Sequence, residues 1–106
     1  MALITVSYDL PTDPAQLQAY AAWAGTAGPR ITAAPGMVWW QPFRTAQATS
    51  PQVISVLFMD SLAAAQRWEA SADFAALLDE MQELGCTSIV VQVFDESPLI
   101  PEPQRP

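Results

Sequence analysis

Histidine and lysine are both missing from the 106 residues, and cysteine occurs once, at Cys86. Each gap removes a class of chemistry. Without imidazole the chain lacks the commonest general base near neutral pH, and neither a Ser-His-Asp nor a Cys-His nucleophile can be assembled. One cysteine without histidine leaves too few ligands for a zinc site, so no metal is expected. A single thiol cannot form an internal disulfide, which fits a reducing compartment. No phosphate-cradling glycine motif occurs, so no nucleotide seat is visible and no cofactor is expected. Hydrophobic runs are too short to span a bilayer, and residues 1–5 carry no basic stretch of a signal peptide. The expected location is therefore cytoplasmic.

Positive charge is also scarce. Four arginines stand against 11 acidic residues, a net charge of −7. That surface repels phosphate backbones and anionic lipid, so neither nucleic acid nor a membrane is an expected partner. The charge keeps an otherwise apolar domain in solution. Hydrophobic residues make up 51% of the chain, enough for one real core. A domain of this size still buries only about 60–70% of the surface its unfolded chain exposes. A second apolar face would need another subunit to cover it.

Local patterns give four strands and three helical stretches, the last two of which lie together between the third and fourth strands. Residues 2–9 are rich in β-branched and aromatic side chains and read as a strand ended by Pro11. Asp13-Pro14 is a helix start, with Asp13 as cap and Pro14 in the first turn. Leu17, Tyr20, Ala21 and Ala24 form its stripe, and Gly25, Gly28 and Pro29 are expected to stop it. Residues 37–44 read as a second strand, placed at a sheet edge because Pro42 cannot donate to a ladder. Residues 52–59 are the third strand, close enough to the second for a hairpin. Asp60-Ser61 caps a helix from Leu62 to about Ala70, and a further helical stretch runs from Asp73 to Leu84, ended by Gly85. Residues 87–95 are the last strand. Residues 1–96 thus make one domain, followed at 97–106 by a tail carrying four prolines and expected to be extended or disordered. The order is β-α-β-β-α-β, an α+β, ferredoxin-like fold with a four-stranded antiparallel sheet.

Alternation along the strands sets which side chains share a face. Ile4, Val6, Tyr8, Ile54, Val56, Phe58, Ile89, Val91 and Val93 are assigned to the helices. Leu3, Thr5, Ser7, Val53, Ser55, Leu57, Val90, Gln92 and Phe94 fall on the other face, which is too apolar for water. Pairing with a second copy through this face gives a homodimer. The space between two such sheets is then either a cavity for a small aromatic ligand or a filled interface.

The stretches Pro35-Gly36-Met37 through Arg44 and Met59-Asp60-Ser61 through Phe74 resemble the dimeric α/β-barrel superfamily. Within it they are most similar to antibiotic-biosynthesis-monooxygenase-type domains, over residues 2–95. Pro35-Gly36, Asp60, Ala64, Ser71 and Phe74 fit that outline. Met59 stands where tryptophan is common, and Trp68 where histidine is common. The resemblance implies a dimeric barrel and, for activity, a cofactor-independent monooxygenase or isomerase acting on an aromatic or enolisable substrate. The alternative is a non-catalytic dimeric module that binds a ligand or a protein. Haem degradation also occurs in the superfamily, but the absence of histidine argues against haem ligation.

Several residues are candidates to hold a ligand. Trp39, Trp40, Phe43 and Arg44 form an aromatic stretch ending in a cation, suited either to a flat ring with an anionic oxygen or to packing. Neighbours on a strand point opposite ways, so the faces of Trp39 and Trp40 stay open. Tyr8 can donate to a substrate oxygen. Ser55 and Gln92 offer polar groups on the presumed dimer face. Trp68 either lines a pocket mouth or staples its helix to the sheet. Asp9 is a base only if burial raises its pKa. Asp79, Glu80 and Glu83 read as a wet helix face. Cys86, behind a helix C-terminus, reads as structural.

Overall fold

Alternating apolar residues in β1 (Ala2–Asp9) produce an alternating burial, with Ala2, Ile4, Val6 and Tyr8 buried. This strand occupies an interior position in a computed structural model that describes residues 1–97. The expected extended tail falls outside the described residues apart from Ser97. The sheet has four strands in the order β2-β3-β1-β4, where β2 is Met37–Arg44, β3 is Val53–Met59 and β4 is Thr87–Phe94. Every neighbouring pair is antiparallel. Pro42 thus sits on an edge strand, where its missing N–H breaks no interior ladder.

Three helices complete the chain: α1 (Pro14–Thr32), α2 (Leu62–Glu69) and α3 (Ala72–Glu83). Asp13 and Ser61 cap α1 and α2 as anticipated, and Ser71, which the sequence reading did not single out as a cap, caps α3. Asp13 accepts from the Gln16 N–H at 3.0 Å, Ser61 Oγ from Ala64 N–H at 3.1 Å, and Ser71 Oγ from Phe74 N–H at 3.1 Å. Helix α3 ends in a paired turn: Gly85 N–H donates to Gln82 O and Cys86 N–H to Met81 O. Gly85 takes φ +93°, the left-handed conformation such an ending requires. Gly36, at φ +84°, turns the chain into β2, and its carbonyl accepts from the Asp60 N–H at 2.8 Å.

Two expectations need correction. Helix α1 does not stop at Gly25, Gly28 or Pro29 but runs through them to Thr32. Tertiary contact overrides local propensity there. A Cβ on Gly28 would lie 3.3 Å from the Trp40 ring, so glycine lets the helix sit close against β2. Ile31, beyond Pro29, packs on the core.

The second correction concerns β3. The register pairs Ile4 with Leu57, Val6 with Ser55 and Tyr8 with Val53. Directly paired residues share a face, so Val53, Ser55, Leu57 and Met59 are buried under the helices. Ile54, Val56 and Phe58 take the opposite face. The sequence parity was ambiguous because β3 is apolar on both sides, so its pattern alone did not fix its phase. The assignments in β1 and β4 agree with the structure: Ile89, Val91 and Val93 pack on the core.

The helices and the sheet enclose one main core in which Ile4 and Met59 are fully buried. The other sheet face is left open in the monomer. It carries Trp39, Phe43, Ile54, Val90 and Phe94, all exposed, with Thr5, Ser7, Gln41 and Gln92 among them. Trp39, 54% exposed, stacks on Phe58 with ring centroids 4.8 Å apart.

Candidate functional site

The alternation of β2 sends its two tryptophans to opposite faces. Trp39 pairs with Phe58 and Trp40 with Leu57. Trp40 therefore points beneath the helices, where its Nε1–H donates to Ser55 Oγ at 2.6 Å. This pair marks the floor of a cavity of about 110 Å³ between the sheet and the helices, partly open to solvent.

The sheet contributes Val6, Tyr8, Trp40, Pro42, Ser55 and Leu57 to its lining. Helix α1 forms the roof with Tyr20, Trp23, Ala24, Ala27 and Ile31, while Trp68 and the apolar stripe of α3 close the remaining wall. Of the 19 residues of α1, Ala27 alone is fully buried. The roof rests on aromatic edges instead of an interdigitated seam.

Polar ties hold that roof. The Tyr8 and Tyr20 hydroxyls are hydrogen-bonded to each other, with the rings 6.1 Å apart and edge-on. At the rim, Trp23 Nε1–H donates to Glu80 Oε1 at 2.9 Å, and Arg30 binds both Glu80 oxygens at 2.7 Å. Arg30 first, and Trp23 second, hold the Glu80 carboxyl down to a pKa of about 2. Burial, with the mutual hydrogen bond added, pushes the Tyr8 phenol well above its ordinary value. Burial also raises the Tyr20 phenol and the Cys86 thiol. None of these groups is a base at neutral pH.

Trp68 is 5% exposed and lies in the cavity wall. Its Nε1–H is buried without a hydrogen-bond partner among the described residues. Such a group carries a desolvation cost of about 1–3 kcal/mol. The rest of its environment is well made: Ser71 Oγ–H donates to the Trp68 carbonyl at 2.6 Å, and its ring meets Phe74 at 5.9 Å.

The structure thus brings together Tyr8, Trp40, Ser55 and Trp68 from the candidate set. Ser55 belongs to this cavity and not to the open sheet face. Trp39 and Gln92 lie on that open face, away from the cavity. Arg44 sits at the end of β2, exposed and outside the lining, although its charge acts on both tyrosines. Asp9 is engaged structurally, accepting from Gln52 N–H at 3.0 Å and Ser50 Oγ–H at 2.7 Å. The places of Trp23 and Tyr20 in the cavity lining escaped the sequence reading. The spacing Tyr20, Trp23–Ala24, Ala27, Ile31 carries the signal, but it emerges only once the helix is allowed past Gly25.

No family model matches the sequence, and no curated protein matches it significantly. Solved structures do resemble it closely in shape. A candidate antibiotic biosynthesis monooxygenase from Deinococcus radiodurans superposes with TM-score 0.73 at 9% identity, covering 92% of this chain and 93% of that one. A DABB family protein with a ferredoxin-like fold from Mesorhizobium loti gives 0.71 at 13%, covering 91% and 96%. A variant of SnoaB, a cofactor-independent oxygenase from Streptomyces nogalater, gives 0.67 at 17%, covering 95% and 97%. At these identities the likeness establishes the fold: this chain has the ferredoxin-like α+β architecture of those proteins. No helix among the described residues is long and apolar enough to cross a membrane.

Proposed function

We propose that this protein binds a small, flat aromatic molecule in the cavity beneath α1, and that it works as a homodimer joined through the open sheet faces. The observation that carries the ligand reading is the unpaired Trp68 Nε1–H in a wall otherwise made of aromatic and aliphatic side chains. A ligand carbonyl or hydroxyl oxygen satisfies that donor while its ring fills the space between Trp40 and the roof. The dimer reading is supported by the exposed Trp39, Phe43, Ile54, Val90 and Phe94, which together make a patch that water does not favour.

The catalytic form of this reading is cofactor-independent oxygenation, the activity named for SnoaB, acting here on an aromatic or enolisable substrate. The lining offers indole and hydroxyl donors for a developing oxyanion but no carboxylate to take a proton. Turnover therefore relies on the acidity of the substrate itself. Without such a substrate the same cavity serves as a non-catalytic ligand-binding site.

The test is aromatic binding by wild type and Trp68→Phe, measured by calorimetry with phenol, naphthol and naphthoquinone probes. Losing the donor weakens an acceptor-bearing probe about 5- to 20-fold, the worth of one buried hydrogen bond. It leaves a purely hydrocarbon probe such as naphthalene within about twofold. Equal loss for both classes refutes the role of the indole, and failure of every probe refutes the binding reading.

A further inference from the structure

The cavity has an unusual charge inventory for a chain carrying 15 charged side chains. None of its lining residues is charged. Its polar lining residues are Tyr8 and Tyr20, whose hydroxyls bind each other, Ser55, whose hydroxyl accepts from the Trp40 indole, and Trp23 and Trp68. Among the described residues, the charges around it are engaged or lie outside the lining. Arg30 donates from both terminal nitrogens to the two Glu80 oxygens, a pair with no net charge at the rim. Arg44 lies outside the lining and is exposed. Cys86 is buried close enough to influence both tyrosines, and its thiol is un-ionised.

An anion entering this space would lose its hydration and gain only a few neutral donors. Burying an unpaired charge costs several kcal/mol, far more than burying a hydrogen-bonded neutral oxygen. The surface field points the same way, since the net charge of −7 repels anions before contact.

Resting on the binding reading above, we propose that the cavity selects its aromatic ligands by charge state, taking the un-ionised phenol, enol or carbonyl form and excluding phenolates and carboxylates. The specificity lies in what the wall omits: no cation is presented to a bound oxygen.

The chain suits a direct test because it has no histidine, so few of its groups change charge between the carboxylate range and the α-amino range. Binding of 4-nitrophenol, which ionises near neutral pH, is compared with 4-nitroanisole, which cannot ionise. Equilibrium dialysis of the full chain from pH 5.5 to 8.5 gives both constants. The expected result is a flat profile for the anisole. For the phenol, the apparent Kd rises about tenfold per pH unit above the probe's own pKa, as its neutral fraction falls. Ala24→Phe, which fills the cavity from the roof, abolishes binding of both.

Phenolate binding as tight as phenol binding overturns charge selection while leaving aromatic binding intact. Loss of that phenolate binding in Arg44→Gln would then identify the responsible cation. Retained binding in Ala24→Phe places the probes elsewhere and also overturns the proposal. Failure of both probes at every pH removes the binding reading itself.

Discussion

Ser55→Ala tests the placement of β3 more sharply than any other single change. In the structure Ser55 is 8% exposed, and its Oγ accepts the Trp40 indole proton at 2.6 Å. Removing the hydroxyl leaves that N–H facing an alanine methyl. An orphaned buried donor costs about 1–3 kcal/mol. Trp40 is only half-buried and can recover part of its solvation, so a loss of about 1–2 kcal/mol is expected. For a domain near 100 residues that lowers Tm by roughly 4–16 °C. Urea unfolding at one fixed protein concentration gives the free energy, which matters because dimerisation would make stability concentration-dependent. A double-mutant cycle isolates the bond: in a Trp40→Phe background the Ser55→Ala loss should shrink by about 1 kcal/mol. If β3 presented Ser55 to the open face, alanine would be neutral there and the coupling near zero. A coupling within about 0.3 kcal/mol of zero refutes both the hydrogen bond and the β3 assignment.

Trp39→Asp places a charge in the middle of the open face. On the proposed pairing, sedimentation should give a dimer for wild type and a monomer for the variant, with unchanged far-UV circular dichroism; the same state for both refutes pairing through this face. Glu80→Gln addresses the rim. Because the folded pKa is depressed from 4.5 to about 2, Glu80 stabilises the fold above the unfolded value. That contribution fades as pH falls through this window, so the acid limb of urea midpoints should be flatter in Glu80→Gln between pH 4.5 and 2. Gly36→Ala forces a side chain into φ +84°, with its Cβ 2.6 Å from the Ala64 Cβ. A loss of about 1–3 kcal/mol is expected in urea unfolding; an effect below 0.5 kcal/mol would show that the turn relaxes freely.

Much of the fold was legible in the sequence because local signals and topology agreed. Pro42 identified an edge strand, Asp13 and Ser61 provide the expected side-chain caps, and Gly85 ended α3 as expected. The site was harder to read. β3 is apolar at nearly every position, so its phase is set by pairing with β1 and not by its own pattern. That phase decides whether Ser55 faces a partner or a helix. Local propensity ends α1 too early, which hides the Ala27 and Ile31 part of the roof, while Trp23 falls inside the expected helix but off its assigned stripe. The unsatisfied Trp68 indole is a property of three-dimensional neighbours and has no sequence signature.

The loose seating of α1 sets how the site deals with bulk. A benzene ring is known to occupy an engineered cavity of about 150 Å³, whereas the space here is about 110 Å³. The floor is a hydrogen-bonded sheet that yields little, while the ceiling is a helix held at its rim by Glu80 and inside by a tyrosine pair. Guest thickness is therefore accommodated on one side only. Every ligand thicker than the resting gap carries the work of lifting a single helix, and that work falls on the few ties named above while the sheet below stays in register.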